Sequence, residues 1–328
     1  MKVFMKKAIS YNRVLIYLLN RLASNRVISL IISWVESNTF EKYSKEKLKH
    51  QPIFIIGAPR TGSTVFYQAI TNNSDVLYFD NLVCSFYKNI LFGFWLSNKL
   101  FKQKAHGSFD SEHGNTAKSG LHAPSECGSF WYRWLPKDRH FINYDDTANQ
   151  HAKAIQREIT AVSNYFNKPI VFKNLNAGQR LRFLSKIFPD ARFIFLRRDP
   201  VYTTQSILLA KRKIGLPDNH FWSVMPANVD DLREMEWPEQ IVKQVFYLEH
   251  QIAKDLQLFS KANIFEVDYL RISQESVNRL ISKLGLKKRS IFHAPAIQMK
   301  DKLKLSAEST KMLIDYIHKL DWTKTIVK

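Results

Sequence analysis

One junction constrains this chain more than any other feature: the run Pro52-Ile-Phe-Ile-Ile-Gly57 leads without a spacer into Ala58-Pro-Arg60-Thr61-Gly62-Ser63-Thr64. A short β-branched and aromatic run closed by glycine reads as a buried strand. From Val65 to Ile70 the apolar residues resume with the period of a helix. A glycine-rich turn between strand and helix aims the unpaired N–H groups of the first helical turn, and the positive end of the helix dipole, at one point, which is an anion site. The two glycines match GxxxxGK[ST], yet Ser63 stands where a nucleoside triphosphatase carries the lysine that reaches its β and γ phosphates. The cation here is Arg60, inside the loop.

Four further runs read as buried strands, 76–79, 170–173, 192–196 and 263–267. Helical periodicity appears around 60–72, 151–165, 178–188, 200–213, 238–259, 274–284 and 306–319. Strands alternating with helices predict an α/β fold with a P-loop-like central parallel sheet flanked by helices. At 328 residues and 45% hydrophobic content the chain can bury one large core. Two segments fall outside this alternation. Residues 1–50 carry ten Lys/Arg and three Glu on an apolar helical period, and read as a basic amphipathic helical extension to a domain over 51–328. Packing on that domain is the plainer role for the extension, and contact with a membrane surface is the other. Residues from about 103 to 149 lack periodicity and are rich in Gly, His, Ser and Asp, as expected of an irregular insertion over the sheet that forms an active-site lid.

No apolar run reaches the roughly 18 residues of a membrane span, and Asn12, Arg13, Asn20 and Arg21 interrupt what would be the core of a signal peptide. A cytoplasmic protein is expected, at most peripheral to the inner face of a membrane. Cys84 and Cys127 form no CxxC and have no histidine at metal-ligand spacing, so they are expected to be reduced structural thiols, with no metal site.

A second constellation supports the first. The run Arg192-Phe-Ile-Phe-Leu196 continues as Arg197-Arg198-Asp199-Pro200, delivering Arg198 to the carboxyl edge of the sheet, where open α/β sheets bind ligands. Ser206 lies eight residues on, in the following helix, and an arginine fork with a hydroxyl can hold a second phosphate away from the first. A surplus of 49 Lys and Arg over 29 Asp and Glu, spread along the chain, suits an anionic ligand.

At these residues the chain resembles the sulfotransferases that use 3′-phosphoadenosine 5′-phosphosulfate (PAPS), over roughly residues 52 to 285. The resemblance implies that Arg60, Thr61, Gly62, Ser63 and Thr64 bind the 5′-phosphosulfate, and that Arg198 and Ser206 bind the 3′-phosphate. It also implies that Tyr269 lies against adenine and that Lys173 contacts the sulfuryl group. The cytosolic branch places its catalytic histidine two residues after that lysine, where this chain has Leu175, so the resemblance points to the branches that use a carboxylate. A C-terminal Arg-Lys-Gly signature, present in some members, is missing.

Sulfuryl transfer to a hydroxyl needs cations on the sulfonate oxygens and a base for the acceptor proton. Glu126 and Asp80 are the candidate bases, Glu126 narrowly preferred because it opens the aromatic stretch Phe130-Trp-Tyr-Arg-Trp134, a candidate platform for a sugar ring. His122 and His113 are the imidazole alternatives. The leading expectation is therefore transfer from PAPS to a carbohydrate hydroxyl, without metal. Two other classes compete with it. A P-loop kinase or ATPase wants a lysine after Gly62, and a basic nucleic-acid-binding protein wants its cations clustered with aromatics on one element rather than at strand ends.

Overall fold

The computed structural model describes residues 2–102, 104–110, 114–289, 297, 299 and 301–327, with side chains from residue 11 onward. His113 lies outside the described residues. Two helices come first, α1 (Lys2–Ser24) and α2 (Arg26–Lys45), the second opened by Asn25, whose side chain accepts from the N–H groups of Val27 and Ile28. Strand β1 (Ile53–Gly57) follows, then α3 (Ser63–Asn73), β2 (Leu77–Tyr78), α4 (Asn81–Ser85) and α5 (Ile90–Phe101). The rest runs α6 (Gly128–Trp131), α7 (Asn149–Phe166), β3 (Ile170–Lys173), α8 (Leu181–Ile187), β4 (Arg192–Arg197), α9 (Pro200–Lys213), α10 (Val229–Arg233), α11 (Trp237–Leu256), β5 (Ile264–Asp268), α12 (Gln274–Lys283) and α13 (Ala307–His318).

Every pairing in the sheet is parallel, in the order β2-β3-β1-β4-β5. The chain leaves β1 for the far edge and returns to place β3 on one side of it and β4 on the other, so the connections diverge at the carboxyl end of β1. That divergence opens a crevice at the sheet edge. Gly57, Lys173 and Arg197 are the last residues of β1, β3 and β4.

The sheet is buried on both faces, which is why its central strands read as unbroken apolar runs. Phe54, Ile56, Phe172, Phe193 and Phe195 face a core shared with α7, α8 and α11, while Ile53, Ile55, Val171, Ile194 and Leu196 face a second core shared with α3 and α12. The alternation is the period of two expected of a strand. The helices read from periodicity are present with ends shifted by a few residues; α5 is an addition, since its run from Ile90 is apolar all round and carries no helical stripe to detect. Between α5 and α7 the described chain holds only a 3₁₀ turn, Ala117–Ser119, and the single turn of α6. Cys84 and Cys127 are free thiols, Cys127 buried.

Candidate active site

The loop after β1 is shaped by its glycine and its arginine. A Cβ on Gly57 would lie 2.4 Å from the Leu196 carbonyl oxygen of the neighbouring strand, so only glycine lets β1 and β4 stay paired there. Arg60 (φ 71°) and Gly62 (φ 79°) both adopt left-handed backbone, which costs free energy for arginine and is concentrated at functional sites. Thr61 turns its hydroxyl inward to the Ala58 carbonyl at 2.9 Å, and Gly62 begins α3 with no side-chain cap on the helix. The first N–H groups of α3 are thereby left for a ligand.

The two motifs meet across 146 residues. Arg60 Nε donates to Ser206 Oγ at 3.1 Å, and Arg198 Nη1 donates to the Arg60 carbonyl at 2.9 Å. Burial, and secondarily the Arg198 charge, push the Arg60 pKa below the usual guanidinium value. Two guanidiniums held together against their mutual repulsion, beside an uncapped helix, make a site that favours an anion. Arg198 also lies 4.0 Å from the Tyr269 ring centroid and binds Asp301 through Nε at 2.9 Å and Nη2 at 2.5 Å. The Asp301 carboxylate thus occupies the fork that the sequence assigns to the 3′-phosphate.

Arg60, Gly62, Ser63, Thr64, Glu126, Lys173, Arg198 and Tyr269 line one cavity of about 430 Å³ at the carboxyl edge of the sheet. Lys173 Nζ pairs with Glu126 Oε1 at its floor. The backbone of Gly114 closes on this pair so tightly that a Cβ there would stand 2.9 Å from Glu126 Oε1, 3.4 Å from Lys173 Nζ and 3.8 Å from Thr64 Oγ1. The irregular segment after α5 therefore covers a group made of one cation, one carboxylate and one hydroxyl.

Thr61 and Ser206 stand behind the lining, acting on the loop and on Arg60. Asp80 stands apart from this cavity. It caps α4 by accepting from the Val83 N–H at 2.8 Å, and it accepts from Ser97 Oγ at 2.6 Å and contacts His122 Nδ1 at 3.0 Å. His122 stacks on Phe101 and reaches the Lys104 carbonyl, on that same side. Of the aromatic stretch, Phe130 and Trp131 are core residues, Phe130 against Phe79 and Trp131 against Phe54 and Phe172, and Tyr132 lines the cavity.

The sequence reading missed the far wall, formed by His140, Asn176, Trp222 and Val224. His140 Nδ1 accepts from the Met225 N–H at 2.9 Å, which leaves the proton on Nε2. Burial, with Arg180 adding to it, lowers its pKa to about 4, so it stands in the cavity as a neutral donor. Asn176 Nδ2 donates to the Tyr132 hydroxyl at 2.8 Å, and the buried Arg180 guanidinium lies 5.6 Å from the Tyr132 ring centroid. The wall residues come from three separate segments with no shared motif. Only the position of Asn176, three after Lys173, was a local signal.

Comparison with known proteins agrees with this architecture. The sequence matches the sulfotransferase family over residues 52–289, and the chain belongs to that family. It is an enzyme of sulfuryl transfer, which sets aside the phosphoryl-transfer and nucleic-acid readings. The fold is similar to that of the sulfotransferase STF9 from Mycobacterium avium, at TM-score 0.50 and 14% identity over 94% of this chain and 77% of that one. The sulfotransferase STF1 from Mycobacterium tuberculosis H37Rv aligns at TM-score 0.47 and 14% identity, over 94% and 83% of the two chains. No curated protein sequence matches the chain.

Proposed function

We propose that the cavity binds PAPS and transfers its sulfuryl group to a hydroxyl of a carbohydrate acceptor. The observation that carries this reading is a single cavity lined by Arg60, Arg198 and Tyr269 together with Thr64, Lys173 and Glu126, the last three gathered around Gly114. Three cations on one cavity, Arg60, Lys173 and Arg198, suit a donor that carries more than one anionic group. The uncapped N-terminus of α3 and the Arg60 guanidinium take the 5′ end, and Arg198 takes the 3′-phosphate after exchanging its bond to Asp301.

During transfer the acceptor oxygen forms a bond to sulfur as the bond from sulfur to the 5′-phosphate oxygen breaks. Arg60 and Lys173 meet the charge on the sulfonate and the leaving phosphate. Glu126 takes the acceptor proton once Lys173 has turned from it to the sulfonate. The neutral His140 donates from Nε2 to an acceptor oxygen, and the Tyr132 and Trp222 side chains border the space a pyranose would fill. The Gly114 segment excludes water from the reacting groups when closed.

The test measures transfer of labelled sulfate from PAPS to a panel of glycans, alongside the rise in melting temperature with 3′-phosphoadenosine 5′-phosphate. Stabilisation by that nucleotide and sulfation of at least one glycan are expected. A melting temperature indifferent to it, or transfer confined to non-carbohydrate hydroxyls, overturns the donor or the acceptor half respectively.

A further inference from the structure

Helices α1 and α2 each carry two apolar stripes where a surface helix of a folded domain needs one. The inner stripe, with Leu19, Ala23 and Ile32, packs against Leu82, Phe86 and Phe92. Among the described residues nothing covers the outer stripe. On α1 it runs through Tyr11, Val14, Leu18 and Leu22, spaced by three and four residues and 48–69% exposed. Beyond the break at Asn25 it resumes on α2 through Val27, Leu30 and Trp34, 61–78% exposed. The helix axes bend by 75° at that break, so the two helices form the arms of a V, each with an exposed apolar row. Trp95 of the neighbouring α5 is 39% exposed and stacked on Phe92. Apolar rows left exposed along two consecutive helices mark an interaction face, not chance exposure.

Charge selects the occupant. No Asp or Glu precedes Glu36, while Lys2, Lys6, Lys7, Arg13, Arg21 and Arg26 all do. Glu36 itself turns inward, accepting from Asn89 Nδ2 at 3.2 Å and from the Phe92 N–H at 2.9 Å. A second copy of the chain would bring this cationic rim against an identical one, whereas an anionic lipid surface neutralises it. Tyrosine and tryptophan on the outer stripe favour the headgroup level of a bilayer. Among the described residues no single helix is long and apolar enough to cross a membrane. We propose that α1 and α2 form an interfacial seat, lying in the headgroup region of an anionic bilayer with Tyr11, Leu18, Leu30 and Trp34 buried in its acyl boundary.

The seat touches the segment that covers the cavity. Asn12 Nδ2 of α1 donates to the Lys118 carbonyl at 3.4 Å and lies beside Gly120, in the same irregular stretch as Gly114. Docking α1 on a bilayer therefore anchors that stretch from outside, a consequence that rests on the active-site assignment above, as the seat itself does not.

Vesicle sedimentation tests the seat without recourse to turnover. The full chain should sediment with phosphatidylcholine vesicles containing phosphatidylserine and far less with phosphatidylcholine alone. Leu18→Glu and Trp34→Glu should each weaken partition at least about tenfold while keeping the wild-type melting temperature. Trp34→Phe should keep partition but lose part of the blue shift of tryptophan emission on vesicles, a readout that survives if a glutamate variant misfolds. No partition by the wild type, or a dimer that the glutamate substitutions dissolve, overturns the proposal.

Discussion

Arg198 shows how much one side chain here is asked to do. Its guanidinium spans the Arg60 carbonyl, the Tyr269 ring and the Asp301 carboxylate at once. On the proposed reading, removing it takes away a charge-assisted contact to the 3′-phosphate, on the order of 1.5 to 3 kcal/mol. Arg198→Ala should weaken 3′-phosphoadenosine 5′-phosphate binding by about tenfold or more, with a much smaller change for adenosine 5′-phosphate; equal losses for both nucleotides in calorimetry would place the 3′-phosphate elsewhere. Asp301→Asn, which removes a carboxylate competing for the same fork, should tighten the 3′-phosphorylated nucleotide alone. The two carboxylates nominated as base separate by geometry. Glu126→Gln should lower kcat about 10²-fold or more with nucleotide affinity near wild type. Asp80→Asn can keep the Val83 cap through its remaining oxygen but disturbs the buried bonds of the other oxygen to Ser97 and His122, so it should cost about 1 kcal/mol and a few degrees of melting temperature while leaving kcat nearly intact. A kcat ranking in the opposite order transfers the role to Asp80.

At the scale of elements, the site depends on strand ends held in register. Ile55 pairs with Lys173, and Gly57 with Leu196, so β3 ends two residues short of β1 and β4 runs one residue past it, which staggers Lys173 and Arg198 around the loop after Gly57. Helix α11 braces the end of β4 from behind: Glu249, 1% exposed, pairs with Arg197, which also donates to Thr325 Oγ1 at 2.6 Å. Burial raises the Glu249 carboxyl to about 7, with Arg197 opposing only in part. Because the folded pKa lies above the unfolded value of about 4.3, the stability this group contributes is complete below that value and is lost as pH rises through about 7. Glu249→Gln should therefore gain on the wild type in melting temperature between about pH 5 and pH 8. A gap that stays constant across that range would show the carboxyl to be ionised throughout.

For the whole molecule, the basic surplus divides by location. Part of it faces the cavity as Arg60, Lys173 and Arg198, and part rims the exposed helices at Arg13, Arg21 and Arg26. With Ser63 at the position of the triphosphatase lysine and protein cations placed to meet a sulfonate, which carries less charge than a γ-phosphoryl group, turnover should not need Mg²⁺. EDTA should leave the rate of sulfate transfer unchanged; loss on chelation with recovery on adding Mg²⁺ would contradict that division of labour.

The sequence by itself determined whatever depends on neighbours along the chain. The β1 turn to α3, the Asp199-Pro200 start of α9 and the alternation of Phe54 and Ile55 between two cores are settled within a few residues by φ preference, capping and strand period. Arg60, Lys173 and Arg198 were legible for that reason, since each sits where a strand hands over to a turn. Only the tertiary structure put Glu126 on the cavity and Asp80 away from it, because the two differ in the side chains that reach them from residues 17 to 47 positions away in the chain. It likewise sent Phe130 and Trp131 inward and Tyr132 to the cavity, the outcome of one left-handed residue at Cys127. His140 and Trp222 join the wall through irregular segments whose backbone is held by long-range hydrogen bonds, such as Met225 to His140, and no period or cap announces such contacts in a sequence.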